Sequence, residues 1–474
     1  MDRIKYLLVV PDGVGIRNFF CTRVIDRLLE SGQVVVWHAL PKESVAPFQE
    51  RWGERVRWVE LPPIVDGLVE RLFRQAKIFA QIYWQQKDGP DVQLKRRRPP
   101  SRLKAKAMYI AARLLGRACS FPRGIQWLDR MHQRSAYNAP HTGAFFSFLE
   151  AERPSMVFCT HQRALEAVPA MLAAKALGIR SAVFIYSWDN LPKGRMAVYA
   201  DTYVVWSEFM KRELLQYYPD VSPGRVDVVG TPQFEDYFNS SLIVPKERFF
   251  EELGLDVRRP VVCFSGNDIT SPFDPVYLED LADALLRVPA GERPQVLFRR
   301  SPVDTSNRFD GVLERHPEIA VSDPRWLRVK DDNWAQLVPT KEDGTLLANV
   351  VYHSDVVVNV GSTMGMDFAI FDKPGIYVNY NPKGRAGEWD IHEVYRLPHF
   401  IPVHRIQPVY WAGSPQELGD LVLHALKNRY EKQEARKAWL DLIVSQPLDS
   451  ASERFAGEMK KIALNGNPVT VHAG

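Results

Sequence analysis

Cysteine is scarce in this chain. Its 474 residues include four, Cys21, Cys119, Cys159 and Cys263. They stand far apart, in no metal-ligand or disulfide spacing, and read as free thiols in a reducing compartment. Long hydrophobic runs are also missing. No stretch approaches the ~20 apolar residues of a membrane-crossing helix. The opening MDRIKYLLVVPDGVG is broken by Pro11 and Asp12 too early for a signal peptide. The expectation is a cytoplasmic chain, or one peripheral to the inner face of the cytoplasmic membrane. There is no low-complexity tract, no recognised nucleic-acid-binding motif and no full GxGxxG fingerprint, since Gly13-Val14-Gly15 stops short of one.

What is present is an ordinary globular composition, 46% apolar and 25% charged, at a length that allows two or three domains. Short apolar runs alternate with helical stretches. Strands are expected at 4–10, 33–38, 56–60, 155–160, 181–187, 202–206 and 225–229. A second series is expected at 260–265, 295–299, 326–330, 355–360 and 375–380. Helices intervene, and 415–428 and 430–443 read as two helices in succession. The last ten residues are expected to fray. Such alternation builds parallel sheets. NSSLIVPKE at 239–247 reads as a linker between residues 1–240 and 241–474. The predicted class is therefore α/β, with two Rossmann-like doubly wound domains, a cleft between them, and ligands at the carboxyl ends of the strands.

Residues 66–135 interrupt the rhythm as a helical insertion. Between Lys95 and Arg123 lie ten Lys or Arg and no acid, with apolar residues interleaved. The first half of the chain is net basic and the second net acidic, so one half is expected to face something anionic. An anionic membrane surface is the favoured partner for the basic insertion, ahead of a solvated helical face; nucleic acid is not expected.

Chemistry-bearing residues gather where strands end. Asp12, Gly15 and Arg17 follow the first strand. Asp12 is a candidate base, or a turn-capping residue. His161 ends the strand SMVFCT and is a candidate base or orienter, or a helix cap. Ser187-Trp188-Asp189-Asn190-Leu191-Pro192-Lys193-Gly194 follows another strand. It places a carboxylate, an indole, an amide and an ammonium together, types suited to holding a sugar. In the second half, Ser265, Gly266 and Asn267 end one strand and Arg299 another, the latter to neutralise phosphate or to form a surface ion pair. Asp355-Val-Val-Val-Asn359-Val-Gly361-Ser362-Thr363 runs from a strand through a glycine turn into a helix. Ser362 and Thr363 can cap that helix, whose amides then face an anion.

The run PTKEDGTLLANVVYHSDVVVNVGSTMGMDFAIFDKPGIYVNYN resembles the donor-binding region of GT-B glycosyltransferases, within the UDP-glycosyltransferase and glycogen phosphorylase-like superfamily. It is nearest to those of bacterial surface-polysaccharide assembly, and to the related CDP-glycerol glycerophosphotransferases and sugar epimerases. The residues that carry it are Pro339, Asp343, Leu346, Asp355, Gly361, Ser362, Thr363, Asp367, Lys373 and Pro374. Ser187 to Gly194 is similar to a SWDNL–KG segment of the same enzymes, and Gly230-Thr231-Pro232 to a turn that touches the donor.

The resemblance implies that Ser265, Gly266, Asn267, Arg299, Gly361, Ser362, Thr363 and Asp367 bind the donor, with Asp367 on ribose or sugar. It implies that Gly15, Arg17, Trp188, Asn190 and Lys193 bind the acceptor, and that Asp189, Asp12 or His161 catalyses. The implied activity is metal-independent and needs no cofactor: a sugar moves from a nucleotide donor to a glycan or lipid-linked acceptor. The rival readings are a polyol-phosphate transferase, a nucleotide-sugar epimerase, and a non-catalytic nucleotide- or glycan-binding protein.

Overall fold

The computed structural model describes residues 3–85, 93–94, 97–328, 337–385 and 387–465. The chain divides into two units, Met1–Gln233 with Ile443–Gly474, and Phe234–Leu442.

The first unit is built on seven strands: β1 (Ile4–Val10), β2 (Gly32–His38), β3 (Val56–Glu60), β4 (Met156–Cys159), β5 (Arg180–Phe184), β6 (Thr202–Val205) and β7 (Val226–Val228). Their order is β3-β2-β1-β4-β5-β6-β7, and every pair is parallel. The seven runs expected from sequence all form. β1 reads IKYLLVV and is buried along nearly its whole length, as a central parallel strand covered on both faces requires. Leu7 pairs with Val35 of β2 on one side and Val157 of β4 on the other. The strand order reverses between β1 and β4, so the loops after these two strands flank the switch point where such sheets bind ligands.

The helices used below are α1 (Val24–Ser31), α2 (Leu68–Gln85), α3 (Leu103–Ala118), α4 (Pro122–Tyr137), α5 (Glu208–Tyr217), α6 (Lys341–His353), α7 (Met364–Ile370) and α8 (Ala451–Leu464). The expected helical insertion is present as α2, α3 and α4. They share a small core of Ala76, Phe79, Ala80, Ala112, Ile125 and Leu128. Lys95 and Arg96 lie outside the described residues.

The second unit repeats the pattern with β8 (Val261–Ser265), β9 (Gln295–Arg299), β10 (Ala320–Ser322), β11 (Val356–Asn359), β12 (Gly375–Val378) and β13 (Tyr410–Ala412), in the order β10-β9-β8-β11-β12-β13. All neighbours are again parallel. Here the reversal falls between β8 and β11.

Two expectations are corrected, and one strand was missed. The edge strand expected at 326–330 is formed instead by Ala320–Ser322. Leu327 makes an isolated antiparallel bridge to Val338, Trp326 donates from Nε1 to Asp343 Oδ2 at 2.7 Å, and residues 329 and 330 lie outside the described set. β13 was not anticipated, because Tyr410-Trp411-Ala412 is too short to show a period. The division of the chain at 240 also changes. After Leu442 the chain returns to the first unit, where Phe455 of α8 meets Phe19 at 5.0 Å and Phe158 at 4.9 Å between ring centroids. Arg27 of α1 pairs with Glu453, and Arg454 Nε donates to Val229 O at 2.9 Å. The tail expected to fray lies almost wholly in residues 466–474, outside the described set.

Candidate functional site

In the first unit, the loops on either side of the switch point are joined by one side-chain pair. Asp12 leaves β1 in extended conformation and caps the turn that follows, its Oδ1 accepting from Val14 N at 3.1 Å and Gly15 N at 3.2 Å. Its other oxygen, Oδ2, bonds to Nδ1 of His161 at the end of β4. Both side chains are buried. An ionised carboxylate can only accept, so the pair favours the neutral tautomer with its proton on Nδ1 and its lone pair on Nε2. Nε2 has no hydrogen-bond partner among the described residues. Tyr186, after β5, sets its ring edge-on to the imidazole at 4.2 Å between centroids. Burial pushes the Tyr186 phenol up, so it stays protonated near neutrality. A carboxylate that orients an imidazole whose far nitrogen is left without a partner is the arrangement of a general base.

Gly15, assigned above to the acceptor, has a packing reason as well. A Cβ there would come within 2.5 Å of Thr160 Oγ1, so a side chain would separate the β1 and β4 loops that carry the pair. Arg17 sits half-buried on the next turn. Cys159 is inert, its thiol pushed up to about 12 by burial.

The loop after β5 behaves differently from the expectation. Asp189 accepts from Ser187 Oγ at 2.7 Å, from Asn190 Nδ2 at 3.1 Å and from Lys193 Nζ. It is thus the staple of its own loop, and so is Lys193. Asn190 is buried; its Oδ1 accepts from Gln162 Nε2 at 3.3 Å and Arg163 NH1 at 3.4 Å, which ties this loop to the one bearing His161. Trp188 is buried rather than presented as a stacking face. Glu213 of α5, which sequence reasoning missed, is buried beside this loop. Burial and then the charge of Asp189 raise its carboxyl to about 8, and Oε2 has no partner among the described residues.

In the second unit the corresponding edge is organised by Asn359 at the end of β11. Its Oδ1 accepts from Ser362 N at 2.9 Å, pulling the chain into the turn that starts α7. Gly361 sits at φ 61°, and a Cβ there would meet the Phe400 ring at 2.6 Å. Two independent constraints therefore demand glycine. Gly361, Ser362 and Thr363 are half-exposed while the rest of the α7 start is buried. Thr363 is the N-cap residue but makes no side-chain cap, and Ser362 Oγ accepts from Met364 N only at 3.4 Å. Across the switch point, Asn267 Nδ2 donates to Val360 O at 3.0 Å. Ser265 and Gly266 bring the β8 loop there, with Gly266 against the Phe298 and Phe309 rings.

Two donor-site candidates are committed elsewhere. Arg299 is neither at the surface nor open to phosphate. It is buried, with NH2 donating to Asp343 Oδ1 at 2.7 Å and Oδ2 at 3.0 Å, and NH1 to Ser322 O at 3.3 Å. Asp367 is buried and accepts from Tyr237 OH at 2.8 Å. Lys373 closes α6: its ammonium donates to Val351 O at 2.8 Å, Ser354 O at 2.6 Å and Tyr352 O. A cavity of about 380 Å³ opens beyond β9 and β10, lined in part by Arg300, Thr305, Asn307, Trp326 and Arg328. Among the described residues no group of three His, Cys, Asp or Glu is placed to hold a metal ion.

No family model matches the chain, and no curated protein matches it in sequence. Solved structures do match over nearly its whole length. A glycosyltransferase from Rickettsia africae ESF-5 is similar at TM-score 0.53 and 12% identity, covering 98% of this chain and 100% of that one. A UDP-GlcNAc 2-epimerase from Methanocaldococcus jannaschii is similar at TM-score 0.54 and 10% identity, covering 97% and 100%. One from Neisseria meningitidis, bound to UDP-GlcNAc, gives TM-score 0.50 and 10% identity over 97% and 100%. The fold shared with them is the GT-B type, two Rossmann-like units in one chain. The sequence resemblance stated above is thereby met at the level of fold.

Proposed function

We propose that the chain is a nucleotide-sugar enzyme, and specifically a glycosyltransferase. It moves a sugar from a nucleotide-activated donor to a glycan or lipid-linked acceptor, in the making of a bacterial surface polysaccharide. The observation that carries this is the Asp12–His161 pair, with imidazole Nε2 buried and unpartnered among the described residues at the switch point of a parallel sheet. The first unit is taken to bind the acceptor and the second the donor. His161 Nε2 takes the proton of the acceptor hydroxyl, and the hydroxyl oxygen forms a bond to the anomeric carbon. The bond from that carbon to the donor phosphate breaks, and the phosphate leaves with its electron pair. Within the second unit, the Gly361–Thr363 turn is the candidate to hold the donor phosphate. Asp12 keeps the imidazole in the required tautomer. No metal or cofactor enters this scheme.

The cavity past β9 and β10 suits the base and ribose of the nucleotide, with Trp326 as an apolar wall and Arg300 and Arg328 beside it. An epimerase reading has its own support in the UDP-GlcNAc 2-epimerases of like fold. A panel of nucleotide sugars, incubated with and without polyprenyl-phosphate-linked glycan, separates the two. Nucleotide release that depends on acceptor is the expected result. Isomerised nucleotide sugar with no nucleotide released would replace the transferase by the epimerase.

A further inference from the structure

Half of the large hydrophobic side chains that the fold leaves exposed, nine of eighteen among the described residues, fall between Val65 and Tyr137. On α3 they form a line. Leu103 is 84% exposed, Ile110 47% and Leu114 64%, and Phe121 just beyond the helix is 51% exposed. Ala107 and Ala118, also exposed, fill the gaps. The spacing 103, 107, 110, 114 and 118 keeps one face of a 3.6-residue helix, and Phe121 follows its end. The opposite face, with Ala112 and Gly116 buried, packs on α2.

One flank of the line is basic, and the other carries a single lysine. At about 100° per residue, Lys104 lies on one side and Lys106, Arg113 and Arg117 on the other. The 16-residue helix contains no Asp or Glu. Arg113 Nε donates to Tyr83 OH of α2 at 2.8 Å.

We propose that α3 is a membrane-surface helix: its Leu103–Ile110–Leu114–Phe121 line rests in the headgroup boundary of an anionic bilayer, and the cations beside it meet the lipid phosphates. A straight apolar line with cations beside it and no acid on the helix is complementary to a flat anionic surface. A helix of about 24 Å is shorter than a bilayer core and lies along it, and no described helix is long and apolar enough to cross a membrane. A second copy of the chain fits poorly, because a two-fold interface would set the cations of both copies side by side. Nucleic acid fits poorly too, since the centre of the line is aliphatic and offers bases neither hydrogen bonds nor a row of stacking rings.

The helical layer is tied to the loop after β5. Gln81 Nε2 of α2 donates to Leu191 O at 3.4 Å, and Arg195 Nε pairs with Asp129 of α4 at 2.9 Å. Lipid docking at α3 therefore sets the height of the proposed acceptor loop above the bilayer. This deepens the transferase reading and rests on it only in taking the acceptor to be lipid-linked.

The test is co-sedimentation of the full chain with phosphatidylglycerol–phosphatidylcholine vesicles and with phosphatidylcholine alone. Expected is binding to the anionic vesicles that weakens with salt. It should fall at least about tenfold in a Leu103→Asp, Ile110→Asp, Leu114→Asp variant, whose changes sit at exposed positions and leave the circular dichroism unaltered. No sedimentation with anionic vesicles at low salt overturns the proposal, and so does undiminished binding of the triple variant. Light scattering that shows a dimer dispersed by the triple variant, without vesicle binding, reassigns the face to a second copy. Tight RNA binding in the absence of vesicle binding overturns it also. Calorimetric affinity for nucleotide sugar is expected to be the same in all variants. If vesicle binding fails while that affinity stands, this inference falls and the transferase reading survives.

Discussion

At the level of single residues, Asp12 and His161 show what a sequence can and cannot reveal. Each is ambiguous alone, a turn-capping acid and a strand-end histidine, separated by 149 positions. Their pairing becomes visible only when β1 and β4 are adjacent, which the alternating pattern allows but does not state. Asp189 was a further candidate base, in a loop rich in functional types. The structure shows those types satisfying one another. If the pair is the base, His161→Ala should lower acceptor-dependent turnover by at least about 100-fold. Asp12→Asn should lower it nearly as far, with nucleotide-sugar affinity unchanged in both. Activity within a few fold of the parent in His161→Ala would remove the assignment. Glu213 offers a second test, in stability. Burial raises its carboxyl from 4.5 to about 8. Between those values the unfolded chain has lost this proton and the folded chain keeps it. Its contribution to stability is therefore greatest below the unfolded value and declines as pH rises toward about 8. Glu213→Gln removes the penalty. Its melting temperature should exceed the parent's by a few degrees at pH 8 and converge with it near pH 4. Parallel melting curves for the two proteins across that range would show that Glu213 is ionised in the fold.

The β11–α7 segment was the clearest element in the sequence, and its strand, glycine turn and helix all form. What the sequence could not convey was the close contact with Phe400 that makes Gly361 irreplaceable, because the two lie on separate elements. Gly361→Ala should cost about 1–3 kcal/mol by urea denaturation, through positive φ and the ring contact together. It should weaken nucleotide binding as the turn shifts, and an unchanged midpoint would mean the turn has room to relax. Arg299 teaches the opposite lesson. An arginine at a strand end was a natural phosphate ligand, yet Asp343 on α6 takes it up in a buried pair, and a contact 44 residues away leaves no local signal. The α4 attachment is a buried pair of the same kind. Asp129 receives Arg195 at 2.9 Å and 2.5 Å and Tyr199 OH at 2.6 Å. Lys77, lowered to about 8 mainly by burial, stands 3.4 Å away. Asp129→Ala strands two buried cations and should cost about 3–5 kcal/mol. Hydrogen exchange should quicken first in α4 and the 190–199 loop. Loss spread evenly over the first unit would show that the pair stabilises the whole unit rather than this junction.

Over the whole molecule, the doubled strand–helix rhythm made two Rossmann-like units legible, since each strand is an apolar run with its own turn. The return of the chain to the first unit was not legible. α8 reads as any amphipathic helix near the end of a chain, and nothing local in ASERFAGEMKKIAL says which sheet it covers. The structure supplies the reason. Phe19, Phe158 and Phe184 form an aromatic cluster in the first unit, with centroids 5.1–5.2 Å apart for the pairs involving Phe19. Phe455 completes that cluster. The Arg27–Glu453 and Arg454–Val229 bonds place α8 at the edges of the same surface. The first unit is therefore discontinuous in sequence, while the second is a single run from Phe234 to Leu442. This makes a directional prediction. Ending the chain after Leu442 strips the cover from Phe19 and Phe158 and leaves the core of the second unit untouched. Calorimetry of the shortened chain should show the first unit's transition lost or lowered and the second unit's retained. Phe455→Ala should produce a milder version of the same pattern, at about 3–5 kcal/mol. If instead the second unit's transition were the one to disappear, the C-terminal helix would belong with the second unit, as the sequence rhythm alone had indicated.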